Sequence, residues 1–368
     1  MAYPLIPSTL PPHNQHAGAS ISLSFLFCGL ACIFTSLAYS EFAARVPIAG
    51  SAYTFVYASF GEFPAWLIGW NLTLGYGVSA AVIARSWAQY LSTFIETSCN
   101  TTVPEWLTSM GIGTGTPACP LSVVIIMACT GVLCVGVKES TKFNAIMTCL
   151  NLAVLAFVLV AGAPEVSSDN LTPFAKEGVS GVAKGAGLVF FAYLGFDMVA
   201  CLSEEVKNPQ KNMPIGIIGS LIVSMSIYVS LSIIIVGMAP FDILGKDTPI
   251  SNAFLANGCC TPDGLHLSDA VETCLNCSSS STNSSLLYYG SKVINFGALF
   301  GLTTACFTCI MGQPRIFYRM AKDGLLFQFF GKVSEKSQVP VYGTIFTGFF
   351  VAALAFAVDL EALANMIR

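Results

Sequence analysis

The sequence predicts an integral membrane protein built of α-helices. Of its 368 residues, 54% are hydrophobic and only 10% are charged, and long apolar runs recur along the chain. A soluble domain carries about 25% charged residues, so this chain lacks the charge to cover a globular surface in water. The short alternating strands that are typical of a membrane β-barrel do not recur. A net charge of −4 argues against a nucleic-acid partner.

Crossing the hydrocarbon core takes about 20 mainly apolar residues, and eight segments meet this requirement. They are Ile21–Tyr39, Phe63–Leu91, Leu121–Val137, Ala145–Ala163, Gly185–Leu202, Ile215–Ala239, Ser291–Gln313 and Val341–Val358. The stretch Met1–His16 is polar and proline-rich, and it lacks the charged and apolar regions of a signal peptide. We therefore expect a polar segment at 1–16 and one transmembrane domain at 17–368, with an outer loop at 240–290.

Positive charge indicates the orientation, because cytoplasmic loops carry an excess of Lys and Arg. One set of loops holds Arg45, Lys138, Lys142, Lys207, Lys211, Arg315, Arg319, Lys322, Lys332 and Lys336. The other set holds Lys176, Lys184, Lys246 and Lys292. The first set is therefore predicted to be cytoplasmic.

N-glycosylation sequons agree with this orientation. Those at Asn100, Asn170, Asn276 and Asn283 all fall in the predicted outer loops, whereas the one at Asn71 lies inside a span and is discounted. The first span must then run inward, with the N-terminus outside and no signal peptide before it. The simplest expectation is that a further spanning helix precedes this sequence.

The 14 cysteines divide between the spans and the outer loops. Eight lie in spans, where a cysteine behaves as a small apolar residue: Cys28, Cys32, Cys129, Cys134, Cys149, Cys201, Cys306 and Cys309. Six lie in outer loops: Cys99, Cys119, Cys259, Cys260, Cys274 and Cys277. An even number on an oxidising side favours disulfides of unassigned connectivity. A zinc site at 259–277 is the less favoured alternative, because its surroundings are rich in Ser and Asn.

The fifth span carries an ionisable residue, Asp197, two residues after Gly195. Glycine weakens a helix, and a helix broken in mid-membrane frees backbone groups that can bind an amino acid's ammonium and carboxylate. An acid within a span is therefore a candidate functional residue. The alternative is that Asp197 lies near the cytoplasmic end and pairs with a neighbour. Spacing alone leaves both alternatives open.

No pattern indicates an enzyme. The histidines His13, His16 and His266 all lie in outer segments, where they cannot form an intramembrane proton relay. The glycine-rich stretch at 111–115 follows no predicted strand, so it is not a dinucleotide site. We expect no cofactor, no metal and no catalytic residues, and transport without ATP hydrolysis.

Five motifs, in order along the chain, resemble eukaryotic cationic amino acid transporters of the amino acid–polyamine–organocation superfamily. They are SEFAARVPIAGSAYTFVYASFGE at 40–62, GWNLTLGYG with ARSWA at 69–88, GVKEST at 136–141, FFAYLGFD with EEVKNPQKNMPIGI at 190–217, and GQPRIFYRMAKDGLL at 312–326. The resemblance covers the chain from about residue 17 onward.

This resemblance implies the leucine-transporter fold, in which two five-helix repeats are inverted relative to each other. The eight segments correspond to the family's helices two to nine. The fold is therefore expected to be incomplete here, without the first helix and the C-terminal helices. The family's first helix carries half of the site for the substrate backbone, so that half is also expected to be absent.

The resemblance also implies substrate-binding positions in the fifth span, where the unwound backbone supplies hydrogen bonds. They are Phe190, Phe191, Ala192, Tyr193, Leu194, Gly195, Phe196 and Asp197. Tyr193 or Phe196 is a candidate gate, and Asp197 is a direct or indirect partner of a cation. The alternative for the aromatic residues is packing against lipid or other helices.

Proton-coupled bacterial relatives of the family have a lysine near the position of Asn151. Asparagine does not titrate, so the resemblance favours facilitated diffusion, in which the membrane potential draws cations inward. The alternative for Asn151 is an interhelical hydrogen bond.

Weaker candidates for contact with the substrate side chain are Gly75, Tyr76, Ser79, Thr304, Thr308 and Met311. Small and hydroxyl residues also mediate helix packing. Arg85 is interpreted as structural, or as extending to the interface.

The leading hypothesis is a secondary transporter of arginine, lysine and ornithine in the plasma membrane, with an L-amino acid as substrate and the lipid bilayer as its surroundings. A vacuolar or lysosomal membrane has the same topology. Alternatives are a permease for neutral amino acids or polyamines, and a non-transporting isoform or sensor. A light subunit joined through Cys99 or Cys119 to a heavy subunit is less favoured, because the sequons indicate that this chain is itself glycosylated.

Overall fold

Long helices dominate the computed structural model, which describes residues 18–99, 103–108, 110–112, 116–172, 174, 178–193, 195–201, 203, 206–239, 249–258 and 282–358. The α-helices are α1 (Ile21–Arg45), α2 (Ala52–Phe60), α3 (Glu62–Cys99), α4 (Glu105–Thr108), α5 (Pro120–Val135), α6 (Val137–Gly162), α7 (Gly178–Tyr193), α8 (Phe196–Cys201), α9 (Pro209–Met238), α10 (Pro249–Gly258), α11 (Thr282–Lys322) and α12 (Val341–Ala357). Single 3₁₀ turns lie at Gly18–Ser20, Ala163–Glu165, Asp169–Leu171 and Gln328–Gly331.

Each of the eight predicted spans coincides with a helix or, for the fifth, with the pair α7 and α8. Among the described residues, α1, α3, α6, α9 and α11 are long and apolar enough to cross a bilayer, while α5 and α12 are apolar but shorter. The protein is therefore a multi-pass membrane protein.

Short elements outside the predicted spans are the main departure from the sequence prediction. The strands Met110–Ile112 (β1) and Thr116–Ala118 (β2) pair antiparallel in a predicted outer loop. The helix α2 lies in the first predicted cytoplasmic loop, and α10 lies in the predicted outer loop at 240–290. The predicted cysteine cluster at 259–277 lies outside the described residues.

Helix α11 lies at the centre of the molecule, where it packs most extensively against α3 and also contacts α6, α10 and α12. A second group of helices forms where α1 packs against α7 and α9. Glycines allow α11 and α6 to approach closely. A Cβ atom on Gly301 would lie 2.6 Å from Asn151 Oδ1, and one on Gly297 would overlap Val154. Small residues at such crossings are typical of membrane helix pairs.

The position of Arg85 agrees with the interpretation that it has a structural role and not with the one that it extends to the membrane interface. Its side chain is buried, its Nε donates to the carbonyl oxygen of Ala355 at 2.7 Å, and its Nη2 donates to that of Phe356 at 3.2 Å. The last carbonyls of a helix have no partner within the helix. Arg85 therefore satisfies the C-terminal end of α12 from α3, which ties the two helices together.

We predict that Arg85→Gln lowers the free energy of unfolding by about 3 kcal/mol, because it removes charged donors from buried carbonyls. Thermal unfolding in detergent micelles measures the loss. Arg45→Gln is the matched control, since Arg45 pairs with Glu41 at 2.6 Å while both side chains are mostly exposed and such pairs contribute less than about 1 kcal/mol. Equal unfolding midpoints for the two variants would contradict this role of Arg85.

Candidate functional site

The fifth predicted span is broken in the structure. Helix α7 ends at Tyr193 and α8 begins at Phe196. Between them, Gly195 has a φ of +116°, in a region that favours glycine. Leu194 lies outside the described residues. The predicted interruption next to Gly195 is therefore present, and it takes the last carbonyls of α7 out of a continuous hydrogen-bond ladder.

Asp197 stabilises the start of α8. Its Oδ1 accepts a hydrogen bond from the Gly195 N–H at 3.1 Å, and its Oδ2 accepts one from the Tyr76 O–H of α3. The side chain is 7% exposed, so the carboxylate is held by protein groups and not by water. These contacts pair Asp197 with neighbouring groups, and its role toward a cation stays a prediction. Asp197 thus connects the break to α3.

A second polar contact joins the break to the predicted cytoplasmic face. Ser51 Oγ donates to the carbonyl oxygen of Asp197 at 2.9 Å, and Ser51 is fully buried just before α2. Sequence analysis missed Ser51 as a candidate. The only signal was its place in the AGSAYTF stretch of a motif that resembles the family. The start of α2 therefore contacts the interrupted helix directly.

Helix α2 is also attached to the C-terminal end of α11. The Tyr53 O–H donates to Asp323 Oδ2 at 3.0 Å, and Arg319 pairs with Asp323 at 3.1 Å. Burial and the hydrogen bond to Asp323 raise the pKa of the Tyr53 phenol, which stays protonated. This network joins α2 to the C-terminal end of α11 on the predicted cytoplasmic side.

The candidate gates Tyr193 and Phe196 both make packing contacts. The Tyr193 O–H donates to the carbonyl oxygen of Phe25 at 2.8 Å, and its ring lies 5.4 Å from that of Tyr228. Phe196 packs edge-on against Tyr39, with ring centroids 5.5 Å apart. These contacts correspond to the packing alternative. The neighbouring Phe190 is different, because 48% of its surface is exposed.

Two other predicted positions in the fifth span, Phe191 and Ala192, lie in the last turn of α7. Ala192 is buried, and its carbonyl oxygen accepts a hydrogen bond from the Tyr228 O–H at 3.4 Å. The side chain of Phe191 is not described. The backbone of this stretch is thus partly engaged by α9, while Phe190 remains accessible.

Asn151 and Thr304 place two unpaired polar atoms near one helix crossing. Asn151 Oδ1 and Thr304 Oγ1 are both buried and have no hydrogen-bond partner among the described residues. Asn151 lies against Gly301 of α11, one turn before Thr304. Thr308 donates to the Thr304 carbonyl oxygen at 2.8 Å, and Met311 packs partly buried against the main core. Of these four predicted positions, Asn151 and Thr304 are therefore the two whose side-chain oxygens have no hydrogen-bond partner among the described residues.

Helix α3 supplies three of the predicted positions. Besides Tyr76, Ser79 Oγ donates to the Gly75 carbonyl oxygen at 2.6 Å, and no described residue of a neighbouring element comes within 4 Å of the position that a Cβ on Gly75 would take. Gln313 was missed by the sequence analysis although it lies in the GQPR motif. Its Nε2 donates to the Thr73 carbonyl oxygen at 3.1 Å, while its buried Oε1 has no partner among the described residues.

The predicted glycosylation sites are only partly described. Asn170 lies in a 3₁₀ turn, where its Nδ2 donates to the Gly237 carbonyl oxygen at 3.0 Å. Asn283 lies in the first turn of α11, and its side chain is not described. Asn100 and Asn276 lie outside the described residues.

Comparison with known sequences identifies related proteins. The amino acid permease family matches residues 4–367. The chain is similar to the mitochondrial cationic amino acid transporter 3 of Arabidopsis thaliana, with 37% identity over 96% of this chain and 54% of the relative. The vacuolar cationic amino acid transporter 4 of the same plant is 36% identical over 96% of the chain and 55% of the relative.

A bacterial relative has a different substrate in its name. The branched-chain amino acid permease BcaP of Bacillus subtilis (strain 168) is 36% identical over 96% of this chain and 70% of the relative. The chain spans about half the length of the two plant relatives.

We predict that Tyr76→Phe weakens the attachment of the break to α3, because Asp197 Oδ2 loses its donor while remaining buried. The expected cost is about 1–3 kcal/mol of unfolding free energy, together with faster hydrogen exchange of the Gly195 amide. Tyr57→Phe is the control, since the Tyr57 O–H makes only a long, exposed contact of 3.5 Å with Glu62. Equal exchange at Gly195 in the two variants would show that the Tyr76 contact does not hold the break.

Proposed function

Because this chain belongs to the amino acid permease family, we propose that it is a secondary transporter of cationic amino acids such as arginine, lysine and ornithine, working by alternating access. As a member of a permease family it is a transporter and not an enzyme. The observation that carries the proposal is the interrupted helix α7–α8, because a break in mid-membrane exposes backbone groups to a substrate.

The polarity of the break favours a cation. A helix C-terminus carries about half an elementary negative charge on its unpaired carbonyls, and the last turn of α7 ends at the break. The Asp197 carboxylate adds negative potential at the adjoining start of α8, where it already accepts the Gly195 N–H. An α-ammonium group is thus attracted to the carbonyls of α7. The side-chain charge of arginine or lysine is favoured by the same potential, with Asp197 acting indirectly through the field.

We propose that the substrate side chain contacts groups that are exposed, unobstructed or without a hydrogen-bond partner among the described residues. Phe190 presents a half-exposed ring, Gly75 leaves open space on α3, and Asn151 and Thr304 offer unpaired oxygens. We assign these four residues to the substrate pathway. The described contacts of Tyr76, Tyr193 and Phe196 hold the break in place through hydrogen bonds and packing.

We propose facilitated transport, driven by the membrane potential. The amide of Asn151 cannot exchange a proton, so this position of α6 provides no proton coupling. A cation crossing the full potential gains about 2.3 kcal/mol per 100 mV, which suffices for accumulation without a coupling ion. The plasma membrane is the proposed location, with a vacuolar membrane as the alternative that the name of one plant relative supports. Glycosylation of the outer loops is part of this proposal.

A neutral amino acid is the second candidate substrate, and the branched-chain permease among the relatives is the observation that favours it. A disulfide-linked heavy subunit is less favoured. Cys119 is 3% exposed, and its thiol lies 4.0 Å from the Leu107 carbonyl oxygen. A buried thiol of this kind is poorly placed to join a second chain.

Uptake of labelled arginine into proteoliposomes tests the substrate and the driving force together. We predict saturable uptake that unlabelled lysine and ornithine inhibit and that leucine and putrescine do not. An inside-negative potential of 100 mV should raise arginine accumulation up to about 50-fold, whereas a pH gradient alone should have little effect. Inhibition by leucine and not by lysine would favour the neutral amino acid. Arginine uptake that ignores the potential would contradict the facilitated mechanism.

Asn151→Lys tests the role of α6. We predict that arginine uptake by this variant becomes strongly pH-dependent, because a buried lysine titrates near neutral pH. Asn151→Gln is the matched control, since it keeps a neutral amide and should retain a flat pH profile. A flat profile for Asn151→Lys, in a variant that folds and binds arginine, would exclude this position from the transport pathway.

A further inference from the structure

A short segment before the last described helix combines exposed aromatic rings with lysines. We define the interfacial segment as residues 327–336. Within it, Phe327 is 72% exposed, Phe329 is 46% exposed, and their rings stack with centroids 5.9 Å apart. Lys332 and Lys336 follow, and both are exposed. Apolar rings beside positive charges are typical of surfaces that lie at a membrane interface.

Contacts of Phe330 fix the depth of this segment. Phe330 is buried, with its ring centroid 5.5 Å from that of Phe346 and 5.3 Å from that of Phe317. Phe346 lies five residues into α12, about 7.5 Å along the helix from Val341, and 48% of its surface is exposed on this predicted span. From these contacts we place Phe330 at the level where α12 is expected to enter the lipid. The adjoining Phe329, 4.1 Å from Phe330 by ring centroids, lies at the same boundary.

The segment is ordered by its own backbone before any ligand binds. The Phe330 N–H donates to the Phe327 carbonyl oxygen at 3.1 Å, and the Ser334 N–H donates to that of Val339 at 3.1 Å. Lys322, at the end of α11, adds a third exposed cation, while Glu335 is the acid within the segment. Asp323, beside Lys322, is already paired with Arg319. The surface therefore presents rigid apolar rings with an excess of positive charge.

We propose that the interfacial segment binds anionic phospholipid headgroups of the cytoplasmic leaflet. Phe327 and Phe329 enter the boundary between headgroups and acyl chains, and Lys332 and Lys336 contact the phosphates. The charge complements that leaflet, since anionic lipids are concentrated there and attract lysines close to the bilayer. Phe330 packs against Phe317 near the C-terminal end of α11. A lipid bound to the interfacial segment therefore lies close to the end of α11 where Asp323 accepts the hydrogen bond from Tyr53 of α2.

The test measures binding of fluorescent phosphatidylglycerol and phosphatidylcholine to the full chain in neutral detergent. We expect the chain to prefer phosphatidylglycerol and to lose that preference as salt is raised. Lys332→Gln with Lys336→Gln should weaken phosphatidylglycerol binding by up to about 25-fold, about fivefold per lysine, and leave phosphatidylcholine binding unchanged. Phe327→Ser with Phe329→Ser should weaken the binding of both lipids.

Lys207→Gln with Lys211→Gln is the matched control, because it removes the same charge from another exposed site on the predicted cytoplasmic side. Thermal unfolding confirms that each variant is folded before it is compared. The proposal is overturned if the Lys332 and Lys336 variant binds phosphatidylglycerol as the control does. It is also overturned if soluble glycerol 3-phosphate displaces the lipid probe as well as phosphatidylglycerol does, since the ligand would then be a free phosphoester.

Discussion

The structure depends on one constraint, that the bilayer core offers no water to satisfy free backbone groups. A break in a spanning helix is therefore costly unless the protein supplies partners, and the break at Gly195, within the fifth predicted span, has them. Asp197 accepts the Gly195 N–H, and Tyr228 donates to the Ala192 carbonyl oxygen. Because these contacts lie on either side of the break, the interruption is a built feature of the fold.

Long-range hydrogen bonds from side-chain hydroxyl groups then fix the break against its neighbours. Tyr76 of α3 donates to the Asp197 carboxylate, just after the break. Tyr193, at the end of α7, donates to the Phe25 carbonyl oxygen of α1, and Ser51, just before α2, donates to the Asp197 carbonyl oxygen. Each contact joins residues more than 100 positions apart in the chain. Since α2 is in turn bonded to Asp323 at the end of α11, a series of contacts joins the break to α2 and α11. The proposed alternating access requires such a link between the break and the predicted cytoplasmic side.

The spans and the position of the break could be predicted from sequence, because apolar length and a glycine beside an intramembrane acid are local signals. The role of Asp197 could not, since its partner Tyr76 is distant in sequence and spacing does not reveal it. Tyr193 illustrates the same limit. The resemblance implies that Tyr193 contacts substrate, but only the structure shows that its hydroxyl donates to the Phe25 carbonyl oxygen of α1. The hairpin at 110–118 and the helix α2 carry too few residues for a clear periodic pattern.

The central claim is that the backbone at the α7–α8 break binds the amino acid substrate. The most direct measurement is hydrogen–deuterium exchange of the peptide covering residues 187–201, with and without saturating arginine. We predict that arginine slows exchange of amides next to the break in a concentration-dependent way, and that glutamate does not. Unchanged exchange in this peptide, with protection by arginine elsewhere in the chain, would contradict it.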